Sequence, residues 1–140
     1  DPGLILNMER ALKLGDGLGG HLVSGHVDAI GKITRFNTRE DKSILKVSYP
    51  ENIRRFVAPK GSIAIDGISL TIAELDGDSC SVALVPHTVN MTNLSHLGPG
   101  DMVNLEIDMI ARYVVRAIEC GADPNDMPRE FLKESGLLDE

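Results

Sequence analysis

The chain has 140 residues (15.1 kDa), 42% of them apolar and 25% charged, with a formal net charge of -7 and a pI near 5.0. That size and balance suit one soluble globular domain, able to hide roughly two thirds of its unfolded surface without a disulfide lattice or a structural metal. They exclude a nucleic-acid footprint, which needs clustered Lys and Arg to neutralise phosphate, and no apolar run approaches the ~18 residues of a membrane span. No nucleic-acid or membrane partner is therefore expected.

The chain opens Asp1-Pro2-Gly3, without an initiator methionine. Residues Pro2 to Glu9 align without gaps on Pro99 to Glu106: Pro, Gly, Asn and Glu are identical, and three of the other four positions are apolar in both copies. The second copy reads as the last strand of a barrel. Residues 1–14 are therefore expected to be the remnant of the last strand of a preceding homologous barrel, plus its linker, and the chain to be the second half of a tandem duplication.

Pro and Gly then divide residues 15–108 into short runs. His21 to Lys32 alternates unevenly, Ser43 to Ser48 is a compact β-rich run, and Ser62 to Asp66 alternates clearly. Ile68 to Ala73, Ser79 to Val85 and Met102 to Ile107 complete a set of about six short strands, which predicts a small antiparallel barrel or sandwich. After Ile107 the period changes. Asp108 is a plausible N-cap, and Ile110, Tyr113, Val114, Ala117 and Ile118 form one apolar stripe that stops at Gly121. A second short helix is predicted from Pro128 to Ser135, stopped by Gly136. The stripe can cover the chain's own barrel or pack on a partner subunit, and both readings stay open at this point.

Cys80 and Cys120 are far apart and lack CxxC spacing, so a metal site is not expected and a reducing cytoplasm is the default location. The Gly15 to Gly20 run lacks the Lys-Ser/Thr ending of a phosphate loop, and no GxSxG elbow appears. The residues able to do chemistry are His21 and His26, Asp66 with Ser69 and Thr71, His87 with Thr88, and Asp108. On a strand, two histidines five apart face opposite sides, so at most one of His21 and His26 belongs to a given pocket. Ser69 and Thr71 are two apart among aliphatics, which places both hydroxyls on one face beside the tight-turn signal Asp66-Gly67. With no Trp, two Tyr and three Phe, a flat ring ligand would be held by aliphatics and by hydrogen bonds more than by stacking.

Three segments in order, Gly19 to Val27 (containing Ser24-Gly25-His26), Lys60 to Thr71, and Leu84 to Thr88, resemble riboflavin synthase. The resemblance is to its C-terminal lumazine-binding barrel and covers nearly the whole chain. It implies an all-β fold with a C-terminal helix: a six-stranded antiparallel Greek-key β-barrel at 15–108, followed by a helical segment at 109–140 that assembles a homotrimer in the family. It implies the dismutation of two 6,7-dimethyl-8-ribityllumazine molecules to riboflavin and 5-amino-6-ribitylamino-uracil by four-carbon transfer, without metal or cofactor.

The family's ligand contacts map onto Gly25, His26, Val27, Lys60, Ser69, Leu70, Thr71, Leu84, Val85, Pro86, His87, Thr88 and Val89. The polar residues linked to catalysis map onto His26, Ser69, Thr71 and Asp108. His87 departs from the family pattern, which carries Glu between Pro and Thr. In the family the working site lies between the N-terminal barrel of one subunit and the C-terminal barrel of another, so this chain is expected to bind ligand with reduced or no turnover. Two other readings stand beside it: a non-catalytic, antenna-type lumazine or flavin carrier, and a trimerising structural module.

Overall fold

The computed structural model describes residue 3 and residues 5–38 and 43–121. Six strands, β1 (Ala29–Thr38), β2 (Ser43–Ser48), β3 (Ser62–Ile65), β4 (Ile68–Asp76), β5 (Ser79–Leu84) and β6 (Met102–Ile107), close into an antiparallel barrel in the order β1-β2-β5-β4-β3-β6. The sequence-distant pairs β2–β5, β3–β6 and β1–β6 make the Greek-key crossovers and leave no free sheet edge. Alternation decides what lies inside: Ser43, Leu45 and Val47 of β2, Ile63 and Ile65 of β3, and Val103, Leu105 and Ile107 of β6 all point into the core. Ile53 of α1 (Glu51–Arg54), Val89 of α2 (Pro86–Met91) and Leu94 of a 3₁₀ turn (Asn93–His96) add to the same core.

Two turn features fix the register. Asp66 (φ +48°) and Gly67 (φ +78°) form the two-residue β3–β4 hairpin, in which both central residues are left-handed, and Ile65 pairs with Ile68 across it. Gly31 of β1 sits where a Cβ would come within 2.7 Å of both Leu105 Cδ1 and Val47 Cγ1, so any larger residue there forces the neighbouring strands to shift.

One expectation changes, and one reading that the sequence leaves open is narrowed. The first predicted strand, His21 to Lys32, is displaced: β1 begins at Ala29 and runs on to Thr38. Gly25 takes φ +81°, which breaks an extended run, and a bulge between Ile33 and Arg35 sets Ile33 and Phe36, three residues apart, against the core. That bulge hides the period of two. The opposite-face rule for His21 and His26 accordingly does not apply, because neither residue lies on a strand.

The narrowed reading concerns the helix α3 (Met109–Glu119), which Asp108 caps as expected by accepting from Ile110 N at 2.8 Å. Its stripe is not a lid on the chain's own barrel: Ile110, Tyr113, Val114 and Ile118 are 52–72% exposed. The side of α3 that meets the rest of the chain carries Arg112, whose guanidinium pairs with Asp28, and Glu119, which pairs with Arg55. The predicted helix from Pro128 to Ser135 lies outside the described residues. Among the described residues, no helix is long and apolar enough to cross a membrane.

Candidate functional site

Strands β4, β3 and β6 lie side by side, and their outward-facing residues form short polar rows. Ala64 of β3 is paired with Ser69 on one side and with Glu106 on the other, and Ser62 is paired with Thr71 one step along. Ser69 and Thr71 are exposed, alternating with buried Leu70 and Ile72, so both hydroxyls stand on the outer face as the spacing predicted. With about 4.8 Å between neighbouring strands, Ser69 and Glu106 are spaced by about 10 Å across Ala64.

The segment 20–25 crosses this face as a strap. At one end Gly20 packs so closely on Ser69 that a Cβ would meet its Oγ at 2.5 Å. His21 N donates to Ser69 Oγ at 3.2 Å, and His21 Nδ1 lies 2.7 Å from the same hydroxyl. At the other end the Glu106 carboxylate accepts from Ser24 N (2.6 Å), Ser24 Oγ (2.8 Å) and Gly25 N (3.0 Å). These charge-assisted bonds explain why an outward-facing glutamate is only 7% exposed and why Ala64, between the two anchors, is 1% exposed. Next along the strap, His26 Nδ1 lies 3.0 Å from Ser24 Oγ, with the ring exposed.

The predicted residues are therefore gathered only in part. Gly25 and His26 sit over β6, Ser69 and Thr71 on β4 with β3 between, and Asp108 follows the end of β6, next to Ser62 if the β3–β6 register is continued. No hydrogen bond among the described residues joins His26 to Ser69, Thr71 or Asp108. One oxygen of Asp108 is committed to the helix cap. Lys60, exposed and left-handed (φ +65°), donates its N–H to Ile72 O at 2.9 Å, which seats it beside β4. Leu70, Leu84 and Val89 are 9%, 2% and 8% exposed and belong to the core, so their side chains are not offered to a ligand. Val85, Pro86 and His87 are exposed and Thr88 half-buried at the start of α2, while Val27 stands 55% exposed.

A cleft of about 800 Å³ opens on the same side of the barrel, between the β3–β6 face and Gly3 with Ile5, Leu6 and Asn7, and Ala64, Asp66, Asn104 and Glu106 line it. It touches the predicted ligand contacts only at Gly25 and Val27. Its floor is a network that sequence reading missed. Asp66 accepts from Asn104 N (2.7 Å) and Asn93 Nδ2 (2.8 Å) through its carboxylate, and from Asn7 Nδ2 (2.8 Å) through its backbone oxygen. Asn7 Oδ1 in turn accepts from Asn93 N at 2.8 Å. The repeat signalled two members of these networks, since its shared polar letters are Asn7 with Asn104 and Glu9 with Glu106, but not Asp66 at the centre of one of them.

The sequence matches the lumazine binding domain family over residues 24–108. It is similar to riboflavin synthase of Mycobacterium tuberculosis, 44% identical over 118 residues that make up 82% of this chain and 59% of the relative. It is also similar to riboflavin synthase of Actinobacillus pleuropneumoniae, 36% identical over 137 residues, 94% of this chain and 63% of that one. The chain thus spans about three fifths of the length of these curated relatives. In fold it resembles the crystal structure of LumP complexed with 6,7-dimethyl-8-(1'-D-ribityl) lumazine, with a TM-score of 0.61 and 22% identity over 66% of this chain and 52% of that one. By its sequence match and its closed six-stranded barrel, the chain belongs to the lumazine binding domain family.

Proposed function

We propose that this barrel binds 6,7-dimethyl-8-ribityllumazine or riboflavin on the outer β4-β3-β6 face and supplies one half of a riboflavin synthase site. One observation carries the reading: a strap bearing Ser24-Gly25-His26 is pinned across β4 and β6, beside the strand that displays Ser69 and Thr71, so two of the three segments that resemble the family lie together on this face. The reaction joins two lumazines by transfer of a four-carbon unit and releases riboflavin and 5-amino-6-ribitylamino-uracil. It needs a base for the acidified C7 methyl group and antiparallel placement of two rings, so proximity is a large part of the rate.

In this proposal the neutral imidazole of His26 takes up and passes on the proton, Asp108 orients or accepts, and Ser69 and Thr71 hold the ring or a bound hydroxide. Lys60 and the Leu84 to Val89 segment supply the remaining contacts, largely from backbone. The second half of the site comes from a preceding homologous barrel. The repeat supports that reading, as does the shared left-handed glycine at its two copies, Gly3 (φ +96°) and Gly100 (φ +104°). The exposed stripe of α3 supports a homo-oligomer.

Titrating the purified chain with the lumazine and following ligand fluorescence tests the pocket: saturation at micromolar protein is expected, and its absence refutes the site. Riboflavin formation after mixing with a separately made first barrel separates an enzyme half from a non-catalytic carrier. Binding without any riboflavin under those conditions favours the carrier.

A further inference from the structure

Glu106, Ser24 and His26 form a directional chain. Glu106 is buried and takes three donors, so its oxygens act as acceptors. Ser24 Oγ has a single proton, and with Oγ 2.8 Å from Glu106 Oε1 that proton points to the carboxylate; aimed elsewhere, it would leave two acceptors facing each other. Ser24 Oγ then offers only lone pairs to His26 Nδ1, 3.0 Å away. A ring nitrogen meeting a lone pair must itself carry hydrogen.

We propose that Glu106, acting through Ser24, fixes the neutral His26 ring as its Nδ1–H tautomer and makes Nε2 the atom able to accept a proton. Glu106 and Ser24 are positioning residues, since neither needs to touch the substrate. An unrestrained imidazole favours hydrogen on Nε2, so the relay reverses the intrinsic preference. One hydrogen bond of ordinary net strength biases the tautomers by roughly tenfold. The catalytic consequence rests on the proposal that His26 handles a proton, whereas the tautomer itself does not.

The test is long-range 1H–15N correlation on chain labelled at histidine nitrogen, with the His26 signals identified by their loss in His26→Gln. In the unliganded wild type, Nδ1 is expected to show the protonated shift and Nε2 the unprotonated one. Ser24→Ala keeps both backbone donors to Glu106 and so keeps the strap. It should return His26 to the Nε2–H form, and Ser24→Thr, which retains the hydroxyl, should restore Nδ1–H. A wild-type His26 in the Nε2–H form, or one whose tautomer is unmoved by Ser24→Ala, overturns the relay. Because these spectra need no substrate, a chain with the expected tautomer that binds no lumazine refutes the proposed function and leaves the relay standing.

Discussion

Arg112 Nη2 donates to Asp28 Oδ1 at 2.6 Å, while the other oxygen of the same carboxylate accepts from Ile107 N at 2.9 Å. Asp28 therefore clamps the end of β6 and the first turns of α3 to the start of β1. The Asp28 side chain is 15% exposed and that of Arg112 47%, between the surface and buried regimes of ion pairing. With the apolar stripe turned outward, this pair and Arg55 with Glu119 tie α3 to the rest of the chain, beside half-buried Met109, Ala111 and Val115.

Arg112→Ala is expected to cost about 1 kcal/mol, felt in α3 and not in the barrel. Hydrogen exchange measures this directly: α3 amides such as Val115 should lose roughly fivefold in protection while those of Val47 and Ile72 stay unchanged. Equal loss in both would mean that the pair supports the whole fold.

Gly31→Ala tests barrel closure. The added Cβ would lie 2.7 Å from Leu105 Cδ1 and Val47 Cγ1 and 3.0 Å from Ser48 O, and the backbone oxygen cannot retreat as a side chain can. A cost of about 1–3 kcal/mol is expected from urea unfolding at unchanged m-value. In a Leu105→Val background the same change should cost less, because one clashing methyl has gone. Equal costs in the two backgrounds would place the strain on Val47 or Ser48 instead.

Much of this architecture was legible in the residues. Alternation marked β3, short β-rich runs between Pro and Gly marked β2 and β6, the Asp66-Gly67 pair marked the hairpin, and Asp108 marked the start of α3, because each is a local rule that tertiary contacts left intact. Residues 21–28 were not legible, since their hydrogen-bond partners Ser69 and Glu106 are 48 and 82 residues away. No local pattern reports such partners. The repeat was visible, yet its roles were not: Glu106 holds the strap and Asn7 holds Asp66 and Asn93, relations that only the closed barrel creates. The direction of the α3 stripe was likewise open, because an amphipathic pattern names a face without naming what covers it.

The β3–β4 turn carries a prediction of its own. Gly67 at φ +78° follows Asp66 at φ +48°, and a side chain other than Asn or Asp fits poorly in that conformation. Gly67→Ala should cost about 1 kcal/mol and Gly67→Asn distinctly less, as read from chemical unfolding midpoints. The hairpin also presents Ser69 and Thr71, so the alanine variant is expected to weaken lumazine binding as well, in the fluorescence titration, while the asparagine variant does not. Equal stability of the two variants would show that the turn relaxes to another type.

Burial gives the chain a stability limit on the alkaline side. Cys80 is 1% exposed, and removal from water pushes its thiol up to about 11 from the ordinary value of 9.0. The folded chain then holds this proton more tightly than the unfolded one, so its contribution is complete below about pH 9 and is lost as pH rises towards 11. A shift of that size corresponds to at most about 3 kcal/mol. Tyr49, raised from 10.0 chiefly by burial, acts in the same direction at higher pH. Urea unfolding between pH 8 and 11 should show stability falling with pH in the wild type and falling less steeply in Cys80→Ala, which keeps the Tyr49 part. The slopes are the quantity to compare, since the substitution also leaves a small cavity that lowers stability at every pH. In the same range a thiol reagent should modify exposed Cys120 at once and Cys80 only on unfolding. Identical slopes, or rapid labelling of both cysteines in the folded chain, would show that water reaches Cys80.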